Sequence, residues 1–589
     1  MYRRLASVAL GAALVAVTGL GIVLAIQGIG PLRLAVFGLA GITAFAALLW
    51  LGRSRVDGPG LRVGAAAAGL TALGADLVGG EPGLGFTQMA VAGVALVVVI
   101  AGWWILRGLW RPLPGWTAWV GLALVGSILV ATVIGGGSLG HDESAYALKA
   151  RSWLEGTHDG GWTIHRAVVP SLVAAAVLPF SDSDAVLRMV SVVFSLLTVV
   201  AVWWFGKTVH SRRVGLLAAG LFAVAPSFLR RGAEFLTDVP ATGLLLVVSV
   251  LVWKWLTERG SDQLLLWVAA VGAVAIYTRY QAAVTLLLLA VAGATLFWPR
   301  VRTAGAAMVR AAGLGLVLLL PHFIYATATT GTPWGIFLAT GEIAGREYLG
   351  QGLVDYARDF PNLLAGQLGA VAIVVGIGWG AYRLRATVRD RRLESVDRAT
   401  FFCLIPALGQ FLFLGVVSHG EPRFMFFPVA LMLVTAGIAA EDLRRRVSAE
   451  TYQPAFNLLI GAMVVFLFMS GANVDRNAEA RGDGTLVLQR AASTVVDRSE
   501  GECGILTTYS PQLNWLSGCR VLDLRQDRFV EPRPADVDWH LVLFEEGKRQ
   551  PAGDLLEEYV DIAVGGPITI DDPVDGIGDA TIWRLDVAG

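Results

Sequence analysis

The residues best suited to chemistry stand in one short stretch, Gly140-His-Asp-Glu-Ser-Ala-Tyr-Ala-Leu-Lys-Ala-Arg-Ser-Trp-Leu-Glu-Gly156, which follows a long apolar run. Asp142 and Glu143 are adjacent carboxylates, and a carboxylate can take the proton of a hydroxyl group as its oxygen attacks an electrophile. His141 flanks them. Beyond them Tyr146, Ala150, Trp153 and Leu154 fall at i, i+4, i+7 and i+8, while Lys149, Ser152 and Glu155 take other faces. That spacing predicts a helix lying at a membrane interface with an aromatic anchor. On local sequence alone the simpler role for Asp142 is to cap this helix, whose first N–H groups and dipole stabilise an acid.

A second acidic group shifts the weighting. Leu229-Arg-Arg-Gly-Ala-Glu-Phe-Leu-Thr-Asp-Val-Pro240 holds Glu234 and Asp238 beside Arg230 and Arg231, with Asp238 opening an apolar stretch and Pro240 in its first turn. Ionisable groups at membrane depth are costly and tend to line cavities, although Asp238 could also cap a helix or pair with its neighbours. Arg166, Arg279 in Tyr277-Thr-Arg-Tyr280, and Arg423 in His419-Gly-Glu-Pro-Arg-Phe424 lie at the same predicted level. A guanidinium fork matches phosphate oxygens and is always charged, whereas snorkelling to lipid headgroups is the structural alternative. Asp142, Glu143, Asp238, His141 and His165 could also gather round a divalent metal, but no pair has the i, i+4 spacing of helical ligands.

The elements that must position these residues are membrane spans. The chain has 589 residues, of which 55% are hydrophobic and 16% charged, and a mean hydropathy of +0.63. A soluble protein carries about 25% charged residues, so an ordinary soluble enzyme is excluded. Forty-six basic and 46 acidic residues give no global field that would attract nucleic acid. Apolar stretches of about 17 to 25 residues, the length that crosses a bilayer as helix, fall at 5–27, 31–51, 62–79, 88–107, 116–136, 185–206, 214–229, 238–256, 262–278, 280–298, 306–328, 361–382, 400–418, 423–441 and 455–471. The first reads as a retained anchor, because it lacks a small-residue cleavage site.

Arginine-dense loops, including six Arg between 383 and 398 and the run Arg444-Arg-Arg446, fall on one side if the N-terminus is cytoplasmic. Loops 137–184 and 329–360 and the tail 472–589 then lie outside. In the tail, Cys503-Gly-Ile-Leu-Thr-Thr, Arg520-Val-Leu-Asp-Leu and His540-Leu-Val-Leu-Phe read as strands, and Gly553-Asp-Leu-Leu-Glu-Glu-Tyr-Val as helix, giving a small α/β domain. The three cysteines, Cys403, Cys503 and Cys519, are too few for a structural zinc site, and only the last two could pair in an oxidising space.

The His141-Asp-Glu-Ser-Ala-Tyr146 loop, Arg166 before Val168-Val-Pro170, Arg188 entering the next span, the Thr237-Asp-Val-Pro240 turn and Glu421-Pro-Arg-Phe424 together resemble membrane glycosyltransferases of the GT-C fold. More narrowly, the chain is similar to the family-39-like branch of protein O-mannosyltransferases and aminoarabinose transferases. The resemblance covers about residues 116–471, leaving a four-span N-terminal extension, 1–115, and the α/β tail. It implies a polytopic helical enzyme of the cytoplasmic membrane that uses a polyprenyl-phosphate-linked sugar and an extracytoplasmic acceptor. Asp142 matches the catalytic acid of the first external loop, Glu143 the second acid of that motif, and Asp238 an acid of the second external loop. Arg423, then Arg279 and Arg166, are the candidates for the donor phosphate, whose growing charge they would hold. His141, Tyr146, Glu234 and Tyr280 are candidate substrate contacts. Arg346 and Tyr348 fall in a loop that such enzymes order around the donor. Members differ in metal dependence, and here the donors would be Asp142, Glu143, Asp238 and His165.

Three other classes compete. A transporter would show internal repeats and polar residues near the midplane, and neither is found. A scaffold gives no reason for the Asp142/Glu143 pair. A lipid-linked oligosaccharide ligase or polymerase would share the external site but lack the first-loop acids. The reading that accounts for most of the residues is an inverting transferase with Asp142 as base.

Overall fold

The computed structural model describes residues 117–589, apart from 158–162, 165, 258–260, 343–346, 447–448, 548–549, 575 and 588–589. The first four expected spans, 5–27, 31–51, 62–79 and 88–107, lie outside the described residues. Contacts place residues 117–446 and 463–589 in one large unit and residues 449–462 in a second.

It is a multi-pass helical protein. Helix α1 is Thr117–Gly135, α2 His141–Glu155, α3 Val169–Val177, α4 Asp184–Val209, α5 Arg212–Ala223, α6 Pro226–Gly232 and α7 Asp238–Thr257. Then come α8 Gln263–Thr278, α9 Ala282–Leu296, α10 Gly305–Thr330, α11 Gly335–Glu342, α12 Gln351–Asp359, α13 Gly366–Asp390, α14 Ser395–Val417, α15 Phe426–Arg446 and α16 Ala449–Gly484. Among the described residues eight helices are long and apolar enough to cross a membrane, or nine if the bent pair α5 and α6 counts as one. The spans expected from 116 onward fall on these helices in position, but not all of them are full-length: α8 and α9 have 16 and 15 residues.

Two departures have local causes. The expected span 214–229 is two helices bent by 72°. Proline disfavours helical backbone in the residue before it; Ala225 is extended (φ −66°, ψ 125°), and Pro226 starts α6 where its missing N–H costs nothing. The expected end of the last span at 471 is passed without a break. Ala478, Glu479, Ala480 and Arg481 are good helix formers, and Arg476 and Asn477 bond back to the carbonyls of Ala472 and Asn473.

Helix α15, with the 3-10 turn Pro422–Met425 before it, is the centre: 89% of its apolar window is buried, against 11% for α10 at the rim. It packs against α5, α13 and α14. Helices α4 and α5 meet at Gly206 and Gly215, where a Cβ on Gly206 would stand 2.7 Å from the Gly215 Cα.

The chain then forms α17 (Leu486–Arg498), β1 (Cys503–Thr507), α18 (Ser510–Ser517), β2 (Arg520–Asp523), β3 (Asp538–Phe544), α19 (Gly553–Asp561), β4 (Ala563–Ile570) and β5 (Ala580–Leu585). The strand order is β2-β1-β3-β5-β4, parallel among β2, β1 and β3 and antiparallel from β3 through β5 to β4. Alternation along β3 sends Val542 and Phe544 to one core, with Leu488 and Val495 of α17, and Trp539 and Leu541 to the other, with Tyr559 of α19. The expected strands and helix are all present, and Cys503 and Cys519 form a disulfide that closes the β1–α18 segment.

This small domain is seated on the start of the helical core. Trp515 of α18 donates its indole N–H to Asp184 Oδ1 (2.6 Å), and the Arg151 guanidinium lies 3.9 Å from the Trp515 ring centre. Gln489 donates to the Ser138 hydroxyl (2.6 Å). These ties bracket the loop that leads into α2.

Candidate active site

Helix α2 begins at His141, and its cap is not the residue that sequence suggests. Gly140 is the N-cap and Glu143 the reciprocal partner, its Oε2 accepting from the Gly140 N–H at 2.7 Å. Arg188 of α4 forks onto the same carboxylate, Nε to Oε1 at 2.9 Å and Nη2 to Oε2 at 2.7 Å, and the Phe235 N–H donates to Oε1 at 2.7 Å. Four donors thus fill the roughly four acceptor positions of a carboxylate. With its side chain only 5% exposed, Glu143 has no acceptor position left for a substrate. Such an arrangement favours a structural tie at 143 over the expected second catalytic acid or metal ligand. Burial opposes its ionisation, but Arg188 and the two backbone N–H groups hold its pKa below the ordinary value.

Asp142, one residue earlier, is used differently. Arg166 Nη1 donates to Oδ1 at 2.9 Å and Arg423 Nη1 to Oδ2 at 3.1 Å, while the side chain stays 33% exposed. Burial works against its charge, yet Arg166 and Arg423 together hold its carboxyl well below the usual carboxylate range. It is therefore an ionised acceptor with room for a third partner.

Around this pair the charges alternate. Arg423 Nε reaches Glu421 at 2.8 Å, Arg231 bridges Glu421 (3.1 Å) and Glu234 (2.6 Å), and Arg279 meets Asp238 at 2.6 Å. Burial would raise the pKa of Glu421, but His419, Arg423 and Arg231 bring it down to about 2. Arg279 occupies the extended break between α8 and α9, donating also to Thr237 Oγ1 (2.8 Å) and Gln281 Oε1 (2.9 Å), with its guanidinium 4.6 Å from the Phe424 ring. Tyr146 is buried under Arg166, and the Tyr280 hydroxyl donates to the Arg166 carbonyl at 3.4 Å. His141 keeps an exposed edge; partial burial and then the Arg166 charge lower its pKa.

Residues 281 positions apart thus meet at one carboxylate, and the structure gathers His141, Asp142, Tyr146, Arg166, Glu234, Asp238, Arg279, Tyr280 and Arg423 into one cluster. Tyr348 is 52% exposed. His165 and Arg346 lie outside the described residues. Sequence reasoning gives no site role to Arg188, Arg231 or Glu421, although Arg188 and Glu421 belong to the motifs that carry the family resemblance and Arg188 is a charge at the start of an apolar stretch.

Two clefts flank α7. One is small and polar, lined by Asp238, Arg279, Gln281, Thr285, Gln410 and Arg423. The other is larger and apolar and lies between α3, α4, α7 and α8, with Pro170, Phe194, Trp204, Leu236 and Val274 on its walls. Among the described residues no three His, Cys, Asp or Glu are grouped to hold a metal ion. Asp142, Glu143 and Asp238 each face a guanidinium, which would repel a cation.

Comparison with solved structures decides the fold. The chain matches the crystal structure of ArnT from Cupriavidus metallidurans bound to undecaprenyl phosphate, with a TM-score of 0.56 at 12% identity over 81% of this chain and 98% of that one. The apo form of the same protein matches with a TM-score of 0.52 at 13% identity, covering 81% and 99%. The chain has the GT-C fold. Residues 165–325 also match the family described as dolichyl-phosphate-mannose-protein mannosyltransferase, in line with the resemblance carried by the loop motifs. No curated protein matches the chain in sequence.

Proposed function

We propose that this GT-C protein is a glycosyltransferase that moves a sugar from a polyprenyl-phosphate donor to a hydroxyl-bearing acceptor. The observation that carries the reading is Asp142, an ionised and partly exposed carboxylate held between Arg166 and Arg423. The family match and the undecaprenyl phosphate bound by the ArnT neighbour support the choice of donor. The site end of the core faces the extracytoplasmic side of the cytoplasmic membrane, the N-terminus lies inside, and residues 472–589 form the external domain. Residues 1–115 are an extension of the catalytic core 116–471.

The donor phosphate engages Arg423 and Arg279, with Arg166 behind them, and its lipid tail runs into the apolar cleft beside α7. A carboxylate held by two guanidinium groups is a weak base. A phosphate drawing Arg423 toward itself relieves Asp142 of one positive neighbour and raises its proton affinity when the donor is in place. Asp142 then takes the acceptor hydroxyl proton as that oxygen attacks the anomeric carbon, the bond to the lipid phosphate breaks, and the arginines hold the departing charge. Attack opposite the leaving group inverts the anomeric centre. Asp238 keeps Arg279 oriented, and Glu143 with Arg188 fixes the first turn of α2.

The test is transfer of radiolabel from polyprenyl-phosphate mannose by purified wild type and Asp142→Asn in matched amounts. Loss of turnover with polyprenyl phosphate binding retained is expected. An Asn variant that turns over like wild type removes Asp142 from the role.

A further inference from the structure

We infer that the seam between α2 and α18 is the acceptor subsite, that it takes a saccharide, and that Gln512 accepts a hydrogen bond from one of its hydroxyl groups. The inference rests on the proposed reading and extends it to the acceptor.

The small domain brings α18 against α2 through Trp515, Asp184 and Arg151, and the Cys503–Cys519 bridge closes the segment that carries α18. In that arrangement Gln512 stands beside His141, the residue next to Asp142, with Asp523 at the end of β2 also close by. Gln512 is only 9% exposed, and its Oε1, although it lies against the His141 ring, receives no hydrogen bond of good geometry. Buried polar atoms are almost always partnered, and one left open calls for an explanation. A ligand hydroxyl donating into this oxygen supplies one.

The placement agrees with the topology. Helix α18 follows the carboxyl end of β1, and Asp523 is the last residue of β2, so the carboxyl edge of the parallel strands faces His141. That edge is where open α/β sheets bind ligands. Sugar chemistry follows from the groups along the seam: an imidazole and a carboxamide side by side, with the carboxylate of Asp523 at the end of β2, offer several acceptors and donors to adjacent ring hydroxyls. A lone serine or threonine hydroxyl would engage only one of them.

The experiment uses membranes containing the full chain, polyprenyl-phosphate [¹⁴C]mannose and the endogenous acceptors, with products separated into protein and glycan fractions. Affinity for polyprenyl phosphate is measured in parallel. Label in the glycan fraction is expected, falling about tenfold with Gln512→Ala and staying within about twofold of wild type with Gln512→Glu, which keeps an acceptor oxygen. Polyprenyl phosphate affinity is expected to change less than about twofold in either variant. Undiminished transfer by Gln512→Ala overturns the role of Gln512, and label confined to protein overturns the saccharide. Parallel loss of transfer and polyprenyl phosphate affinity in both variants makes Gln512 a support of the fold and overturns the subsite. A wild type that does not bind polyprenyl phosphate overturns the donor reading and this inference with it, whereas the other outcomes leave the donor reading intact.

Discussion

Asp142 and Glu143 carry the same charge on neighbouring residues, yet their surroundings have opposite uses. Glu143 is sealed: a bidentate arginine and two backbone N–H groups fill its oxygens, and it ties α2, α4 and the turn before α7 together. Asp142 is held by single contacts from Arg166 and Arg423 and keeps a third of its side chain open. The fully satisfied carboxylate can only stabilise, whereas the one with spare capacity can do chemistry. Satisfaction of lone pairs, rather than position in the chain, separates the two carboxylates.

Exchanging the damage at these two positions is the most direct way to break the comparison. Asp142→Asn is expected to cut transfer by about 10²- to 10⁴-fold, the range of general-base contributions, while thermal unfolding shifts by only a few degrees. Equal losses of stability and turnover would erase the distinction. Arg188→Ala leaves Glu143 buried without its partner, and losing one member of a buried pair costs about 3–5 kcal/mol. The expected outcome is a sharp fall in folded yield and melting temperature, checked by size-exclusion chromatography and thermal scanning. Arg423→Ala sharpens the open side: it is expected to weaken polyprenyl phosphate binding by about tenfold or more, as for a lost charged hydrogen bond, and an unchanged affinity removes Arg423 from the phosphate site.

The smallest expected effect is on pH. Glu421 has its pKa lowered from 4.5 to about 2 in the folded state. Its contribution is fully present above the unfolded value and is lost as pH falls through the folded one. Melting temperature is therefore expected to decline between about pH 4.5 and 2, and Glu421→Gln is expected to flatten that decline.

Much of the architecture is legible in the sequence because the forces involved are local. Apolar length marks the spans, short apolar runs between polar stretches mark β1 to β3, and Cys503 and Cys519 are the one pair in reach of each other outside the membrane core. The bend before α6 is legible in principle too, since Pro226 restricts the residue before it. The run of α16 through Asn473 is misread because polarity marks the end of the apolar phase and not the end of the helix.

The site is only half legible for a different reason. Residue type and motif resemblance single out Asp142, Asp238, Arg166, Arg279 and Arg423. Which arginine meets which acid depends on contacts across as many as 281 positions. Sequence alone determined that this chain crosses membranes, carries a small α/β domain and concentrates acids and arginines at the ends of its helices. Tertiary structure alone decided that Glu143 is a tie and Asp142 the open acid, that Glu421 and Arg231 extend the network, and that Gln512 reaches the same end of α2. Hydrogen-bond capacity is used up by partners distant in the chain, and only the folded arrangement shows how much of it remains.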